Sequence, residues 1–111
     1  VAAQFPATDR LMPYLSGQFA VLTEIAEQGA RAVMQDSPAL MLANVAAGRT
    51  DAAWGIKLQE WEMQAPLFIA KEAGCLFAGF DGSPSLEKGD VLCAAPRLFK
   101  VLLPVLNKHL N

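Results

Sequence analysis

The sequence predicts an α/β domain in which helices cover a mixed, largely buried sheet. Short apolar runs alternate along the chain with longer segments whose apolar residues recur every three or four positions. This is the pattern of strands alternating with amphipathic helices. Hydrophobic residues make up 53% of the 111 residues, a high share for a chain with room for one core. We therefore expect residues 1–111 to form a single layered domain that keeps an apolar surface for a partner.

The chain is expected to open with a strand over 1–5 and a helix over 11–28. Leu15 and Phe19 are two of the apolar residues that recur at helical spacing in the second segment, and Gly29 is the expected stop. A first strand and a first helix are therefore predicted before residue 30.

A short strand over 30–34 leads into the segment DSPALMLANVAAG, which has the chemistry of a complete helix. Ser37 can cap it, Pro38 suits the first helical position, and Gly48 ends it. A third strand is expected over 51–54.

The second half begins with a helix predicted over 60–73 and closed by Gly74. Pro66 is costly inside a helix but tolerable in a first turn, so the helix is expected to begin between 60 and 63. The last elements, in order, are a strand over 75–80 ended by the Asp81-Gly82 turn, a polar loop, a strand over 91–94 and a helix over 96–110. The complete order is βαβαβαββα.

Charge and composition exclude several functions. The net charge is −2, and the nine Lys and Arg residues are scattered, so we expect no nucleic-acid partner. No apolar stretch approaches the roughly 18 residues that span a bilayer, so we expect no membrane association. A chain that opens on Val1 without a signal pattern reads as a piece of something longer, and its expected location is cytoplasmic.

Motifs with their own chemistry are scarce. The sequence has no Gly-rich phosphate loop, no paired CxxC and no HExxH. Its single histidine, His109, lies at the C-terminal end, and the serines lack another imidazole that could act as a base. Cys75 and Cys93 stand in apolar, strand-like stretches and are expected to be reduced core thiols.

Four longer stretches carry a family resemblance: NVAAGRTDAAW, EWEMQAP, FIAKEAGCLFAGFDGSP and VLCAAPRLFKVLLPVL. Together they resemble the C-terminal half of the inositol monophosphatase family, which consists of magnesium-dependent phosphomonoesterases related to sugar bisphosphatases. VAAQFP resembles the strand that opens that half. The resemblance covers most of the chain and implies the C-terminal α/β part of the alternating-layer sugar-phosphatase fold.

The resemblance also assigns site positions, and this chain departs from the family at four of them: Asp36, Pro38, Gly55 and Glu62. In the family, an aspartate that follows a tryptophan ligates the metal. Here that position is Glu62, whose side chain is one methylene longer. The alternative role of Glu62 is to stabilise the positive end of the helix dipole. A substrate-contacting Gly-Ser/Thr-Ala turn is replaced by Asp36, Ser37 and Pro38. A substrate-gripping glutamate is replaced by Gly55.

The family's DPIDGT-like metal motif is absent from this sequence. We therefore expect the chain to be the C-terminal domain of an inositol-monophosphatase-like enzyme and to be inactive alone, because the magnesium site needs ligands from outside it. The alternative is a non-catalytic binding or assembly module with a degenerate site. The resemblance implies a small-molecule phosphate ester as substrate. The excess of apolar residues predicts a homo-oligomer or contact with a missing N-terminal domain.

Overall fold

The structure is a computed structural model that describes residues 1–4, 12–31, 33–35 and 37–110. Its order of elements confirms the predicted βαβαβαββα. The strands are β1 (Ala2–Gln4), β2 (Val33–Gln35), β3 (Ala52–Gly55), β4 (Leu76–Ala78) and β5 (Val91–Ala94). The helices are α1 (Leu15–Glu27), α2 (Pro38–Ala46), α3 (Glu60–Glu72) and α4 (Pro96–Leu110), and a 3-10 turn over Met12–Tyr14 precedes α1.

The five strands form one mixed sheet in the order β2-β1-β3-β5-β4. β1 lies parallel to both β2 and β3, whereas β5 lies antiparallel to β3 and β4. The mixed sheet is as predicted. Because β1, β2 and β3 run in one direction, their carboxyl ends share one edge of the sheet.

Two helices cover each face of the sheet. In β3, Ala52 and Trp54 pack in the core beneath α1 and α4, whereas Ala53 packs beneath α2 and α3. In β5, Leu92 joins the first core and Cys93 the second. Alternate strand residues therefore pack in two separate apolar cores, one on each face of the sheet, which is the geometry of a three-layer sandwich.

Some predicted element boundaries differ from those in the structure. Residues 30–31 are not part of β2, because the Ala30 N–H closes the end of α1 by donating to the Ile25 carbonyl at 3.0 Å. The first-turn position predicted for Pro66 is wrong. α3 begins at Glu60 and Pro66 lies buried in its second turn, where it leaves the Glu62 carbonyl without the usual helical donor.

Cys75 and Cys93 are both reduced, as predicted. Cys93 is buried in β5 opposite Phe77 of β4, and Cys75 precedes β4 on the same side of the sheet. Burial and, secondarily, the neighbouring Cys75 raise the pKa of the Cys93 thiol to about 12. The protonated thiol is therefore a packing group rather than a nucleophile.

Within the ranges that the structure describes, no helix is both long enough and apolar enough to span a membrane.

Candidate site at the carboxyl edge of the parallel strands

The topology gathers the sequence-predicted site residues at one edge of the sheet. Ser37 follows the end of β2, Gly55 ends β3, and Glu62 lies in the first turn of α3, seven residues after Gly55. The carboxyl edge of parallel strands is where α/β proteins place ligands, since the loops and helix starts converge there. The described part of the predicted site therefore has a common location.

Ser37 performs the capping role predicted for it. Its Oγ accepts a hydrogen bond from the Leu40 N–H at 3.3 Å, and Pro38 occupies the start of α2. Pro38 has no N–H, so this helix start offers an anion fewer donors than a Gly-Ser-Ala turn would. Asp36, the first residue of the predicted turn, lies outside the described residues.

Gly55 is buried, and the space beside it is already filled. A Cβ built on Gly55 would stand 2.7 Å from Cδ1 and 3.0 Å from Cγ of Leu58. Any side chain at position 55 would therefore need Leu58 to move. The apolar Leu58 side chain thus occupies the direction in which the family resemblance places a carboxylate.

Glu62 caps its own helix. Its Oε1 accepts a hydrogen bond from the Gln59 N–H at 2.8 Å, and α3 carries Glu60 and Glu62 in its first turn. Both carboxylates stabilise the positive end of the helix dipole. Trp61, between them, is 74% exposed. The capping contact is satisfied within the chain and leaves the second Glu62 carboxylate oxygen available to another group.

The loop between β4 and β5 supports this edge from the side. The Leu58 N–H donates to the Gly89 carbonyl at 2.8 Å, and the Lys57 N–H donates to Asp90 Oδ1 at 3.0 Å. Gly89 has a φ of +79°, and a Cβ there would stand 2.7 Å from the Leu58 nitrogen. Lys57 also adopts a positive φ, of 56°, a conformation that side-chain-bearing residues adopt at a cost. These contacts hold the β3–α3 loop in a fixed path.

A cavity of about 650 Å³ opens between the start of α3 and this loop. Its lining has four apolar side chains, two amides and two carboxylates: Leu58, Met63, Leu67, Leu86, Gln59, Gln64, Glu60 and Glu87. The Glu60 carboxylate accepts a hydrogen bond from Gln64 Nε2 at 3.1 Å. None of the lining residues that the structure describes is basic, so this part of the lining is negatively charged and otherwise apolar or neutral.

The carboxylates of this edge do not make a magnesium site by themselves. Magnesium demands an octahedral set of oxygen ligands, and no group of three or more His, Cys, Asp or Glu side chains within residues 1–4, 12–31, 33–35 and 37–110 is arranged to hold a metal ion. In addition, one carboxylate oxygen of Glu62 already accepts a hydrogen bond from the Gln59 N–H. The described residues therefore do not fit a magnesium ion without further ligands.

Sequence reasoning missed the residues that wall this edge. The pattern of SPSLEKGD predicts only a polar loop, although Leu86 within it lines the cavity and Gly89 packs on Leu58. A single leucine among polar residues is the one signal that could have found the contact. The positive φ of Lys57 has no sequence signal, because lysine is not a residue that favours it.

Comparison with known proteins identifies the family that the whole chain matches. The model of the inositol monophosphatase family matches residues 8–111. The chain is 36% identical to Nus factor SuhB of Pseudomonas aeruginosa over 107 residues, which are 96% of this chain and 40% of that protein. It is 37% identical to the inositol-1-monophosphatase of Mesorhizobium japonicum over 76 residues, which are 68% of this chain and 29% of that protein.

Solved structures give the same result for the fold. The extragenic suppressor protein suhB from Bartonella henselae superimposes with a TM-score of 0.86 at 27% identity, over 96% of this chain and 40% of that one. The inositol monophosphatase from Anabaena superimposes with a TM-score of 0.82 at 25% identity, over 97% of this chain and 42% of that one. The 111 residues thus span less than half of the relatives they match, in agreement with the expected C-terminal part of a layered α/β fold.

Proposed function

The chain belongs to the inositol monophosphatase family, and on that premise we propose that residues 1–111 are one domain, the C-terminal domain of a magnesium-dependent phosphomonoesterase. We propose further that the domain is inactive as this isolated chain. The observation that carries the proposal is the carboxyl edge, where Ser37, Gly55 and the start of α3 come together while the described carboxylates do not complete a metal site.

The substrate side of the proposed active site consists of Asp36, Ser37, Pro38 and Gly55. Ser37 keeps the family's residue type, whereas Asp36, Pro38 and Gly55 are altered, and each alteration weakens binding of a phosphate ester by a physical route. Pro38 removes a backbone donor. Gly55 has no side chain to offer a carboxylate to a substrate hydroxyl, and Leu58 fills the space beside it. We therefore expect weak affinity for a polyol phosphate in any complete protein built on this chain.

Glu62 is the one metal ligand that we propose from this chain. The Glu62 carboxylate oxygen that does not accept the Gln59 N–H could form one coordination bond to the metal. The remaining ligands would come from outside residues 1–111. When bound, magnesium would polarise the phosphate ester and lower the pKa of a bound water. The role of this chain is to hold the Glu62 carboxylate at a rigid helix start through the Gln59 N–H.

The proposed partners follow from the same edge and from the apolar surface. We propose a small-molecule phosphate ester as ligand of the complete site, and either a second copy or an N-terminal domain as protein partner. The scattered basic residues argue against nucleic acid. The proposed location is the cytoplasm, without membrane association.

A chimera tests whether this chain is a catalytic domain. The N-terminal part of the Mesorhizobium japonicum inositol-1-monophosphatase would be joined to this chain, and magnesium-dependent phosphate release from inositol, sugar and nucleotide phosphates would be measured. The proposal predicts weak activity that rises with Glu62→Asp. It also predicts that Gly55→Glu helps only together with Leu58→Ala, because Leu58 otherwise blocks the new side chain.

A second candidate is a non-catalytic assembly module that kept the fold. The relative from Pseudomonas aeruginosa is named a Nus factor and not a phosphatase, and this name favours an assembly role. The joint departures at Asp36, Pro38, Gly55 and Glu62 favour it as well. The assembly module would be favoured over the enzyme domain if a folded chimera released no phosphate in the presence of magnesium. This result would have to hold for the Glu62→Asp variant and for the Gly55→Glu, Leu58→Ala double variant.

A further inference from the structure

The cavity between the start of α3 and the β4–β5 loop has the size and the lining of a small-molecule site. Its volume is about 650 Å³, and four of the eight lining residues that the structure describes are apolar. Ligand pockets usually measure roughly 300–1,000 Å³ and combine an apolar lining with a few polar groups. Ser37, Gly55 and Glu62 are not among the described lining residues, so this lining is distinct from the residues of the proposed phosphate site.

The apolar floor of the cavity is preformed. It consists of Leu58, Met63 and Leu67, which are buried in the second core, and of Leu86, which is partly buried against that core. The Leu58 N–H donates to the Gly89 carbonyl at 2.8 Å, which ties the floor to the β4–β5 loop. A ligand would therefore meet apolar side chains that the fold already holds in place, and covering their open sides would remove apolar surface from water.

The polar side of the cavity is negatively charged. Glu60 belongs to α3 and Glu87 to the β4–β5 loop, so each of the two elements that bound the cavity contributes one exposed acidic residue. Within residues 1–4, 12–31, 33–35 and 37–110, the ion pairs join Glu24 to Lys108 and His109, and neither Glu60 nor Glu87 has a cationic partner. The charge of the lining is therefore left for a ligand to balance, and a cation is complementary to it.

The basic residues that are nearest in sequence do not balance this charge. The Lys57 ammonium lies 5.9 Å from the centroid of the Tyr14 ring, and Tyr14 packs against the first core, on the opposite face of the sheet. Lys88 lines a second, smaller cavity of about 110 Å³, whose lining also includes Asp81 and Asp90. The positive end of α3 amounts to about half an elementary charge, which is less than the charge of the two carboxylates.

We propose that this cavity binds a small organic cation, a protonated amine carried on an apolar body. The body lies on the apolar floor, and the ammonium meets the carboxylates of Glu60 and Glu87. Gln64 Nε2 donates to Glu60 Oε1 at 3.1 Å, which leaves the Gln64 side-chain oxygen to accept from the same ammonium. A recess of this volume holds a body larger than one basic side chain, so the occupant is a free small molecule rather than a residue of a partner protein. The proposal does not depend on phosphate release.

Nuclear magnetic resonance titrations of the purified chain with three probes of similar shape test the charge preference. The probes are phenethylammonium, the neutral phenethyl alcohol and the anion hydrocinnamate. We expect the ammonium to have a dissociation constant at least ~10-fold below that of the alcohol, the anion to bind more weakly than the alcohol, and the methyl signals of Leu58, Met63 and Leu86 to shift most. No binding of the ammonium, equal constants for ammonium and alcohol, or shifts centred elsewhere would overturn the proposal.

Neutral variants test the role of the two carboxylates. Glu60→Gln and Glu87→Gln should each weaken binding of the ammonium and leave binding of the alcohol unchanged, and the double variant should bind the two probes equally. Glutamine at position 60 keeps an oxygen that can accept from Gln64. The matched control is Glu72→Gln, which removes the same charge from the last turn of α3, outside the described lining. An effect of Glu72→Gln as large as that of Glu60→Gln would contradict a local contact.

A polar substitution in the floor tests where the apolar body lies. Leu86→Asn should raise the dissociation constants of the ammonium and the alcohol by the same factor, ~5-fold or more, because both probes cover the same apolar surface. The control is Leu76→Asn, at a side chain of β4 that is 41% exposed and outside the described lining, and it should change neither constant. Unchanged binding in Leu86→Asn, or equal losses in the two variants, would contradict the proposed floor. The comparison of the three probes needs no variant and decides the charge preference by itself.

Discussion

The two helix layers of this domain meet solvent in different ways. On one face, α4 buries Leu102, Val105 and Leu106 and turns Lys100 and Lys108 outward. On the other face, α3 buries Met63, Leu67 and Ala70 yet exposes Trp61, Phe68 and Ile69. The α1/α4 layer also exposes Phe19 (49%) and Val101 (50%), but the α2/α3 layer exposes four large apolar side chains, each to a greater extent. The two layers therefore differ in how much apolar surface they leave exposed.

The layers also differ in what they contribute to the site. The starts of α2 and α3 lie at the carboxyl edge and carry Ser37 and Glu62. The α1/α4 layer is tied to the sheet by a buried hydrogen bond from Trp54 Nε1 to Gln18 Oε1, at 3.1 Å. One layer serves mainly stability, and the other holds the residues from which we infer function.

The largest expected effects come from the two cores, where the layers should behave alike. Leu106 of α4 and Leu42 of α2 are both fully buried. Replacing either by alanine should lower the free energy of unfolding by about 2–5 kcal/mol through lost burial and a new cavity. Urea denaturation would measure both. Leu40→Ala, at a side chain that is 54% exposed, is the control and should stay within about 0.5 kcal/mol. A small loss at only one buried leucine would show that this layer is loosely packed.

The next effect belongs to the α1/α4 layer alone. Trp54→Phe leaves the Gln18 side-chain oxygen buried without its donor, which should cost about 1–3 kcal/mol beyond the change in packing. Adding Gln18→Leu removes the orphaned group, so the double variant should be more stable than the sum of the single losses. Strict additivity in a double-mutant cycle would mean that the hydrogen bond does not couple the two residues.

A smaller effect should appear at the carboxyl edge of the α2/α3 layer. Ser37→Ala removes the cap of α2 and should cost about 1 kcal/mol, within the 0.5–2 kcal/mol usual for such caps. Ser16→Ala, in the first turn of α1, is the matched control on the other layer and should cost less, because Ser16 does not occupy the N-cap position of α1. Equal losses would remove the special role assigned to Ser37.

The smallest effect concerns pH and the α1/α4 layer. Glu24 of α1 lies 3.2 Å from His109 Nε2 and 3.3 Å from Lys108 Nζ of α4. Hydrogen bonds from His109 and then Lys108 lower the pKa of Glu24 from 4.5. This contribution to stability is therefore present above pH 4.5 and lost as the pH falls through the lowered value. Glu24→Gln should flatten the acid side of the stability profile, and an unchanged profile would contradict the contact.

The layered fold could be predicted because its signals are local. Apolar spacing marks all four helices, Gly29 and Gly48 end two of them, and the final strand and helix have the predicted bounds. The sheet order could not be predicted from these signals, since strands three or four residues long pair through contacts far apart in sequence. Pro66 illustrates a further limit, because it is buried in the second turn of α3, where local helix rules disfavour a proline.

The candidate site could be predicted only in part. Ser37 and Glu62 carry their own local signals, since each makes a capping contact within three residues. The filling of the Gly55 site by Leu58, and the packing of Gly89 on Leu58, depend on loop paths that pattern analysis does not resolve. The resemblance supplied the positions, and the structure supplied the reason why a side chain at position 55 is crowded out.

The most direct test of the central claim is magnesium-dependent phosphate release by the purified 111-residue chain. Inositol, sugar and nucleotide phosphates would be assayed with magnesium and with a chelator, beside the Glu62→Ala variant. The account predicts no release above the chelated control for either protein, because one carboxylate does not complete a magnesium site. Release that requires magnesium and disappears in Glu62→Ala would contradict it, since the chain would then carry a complete active site.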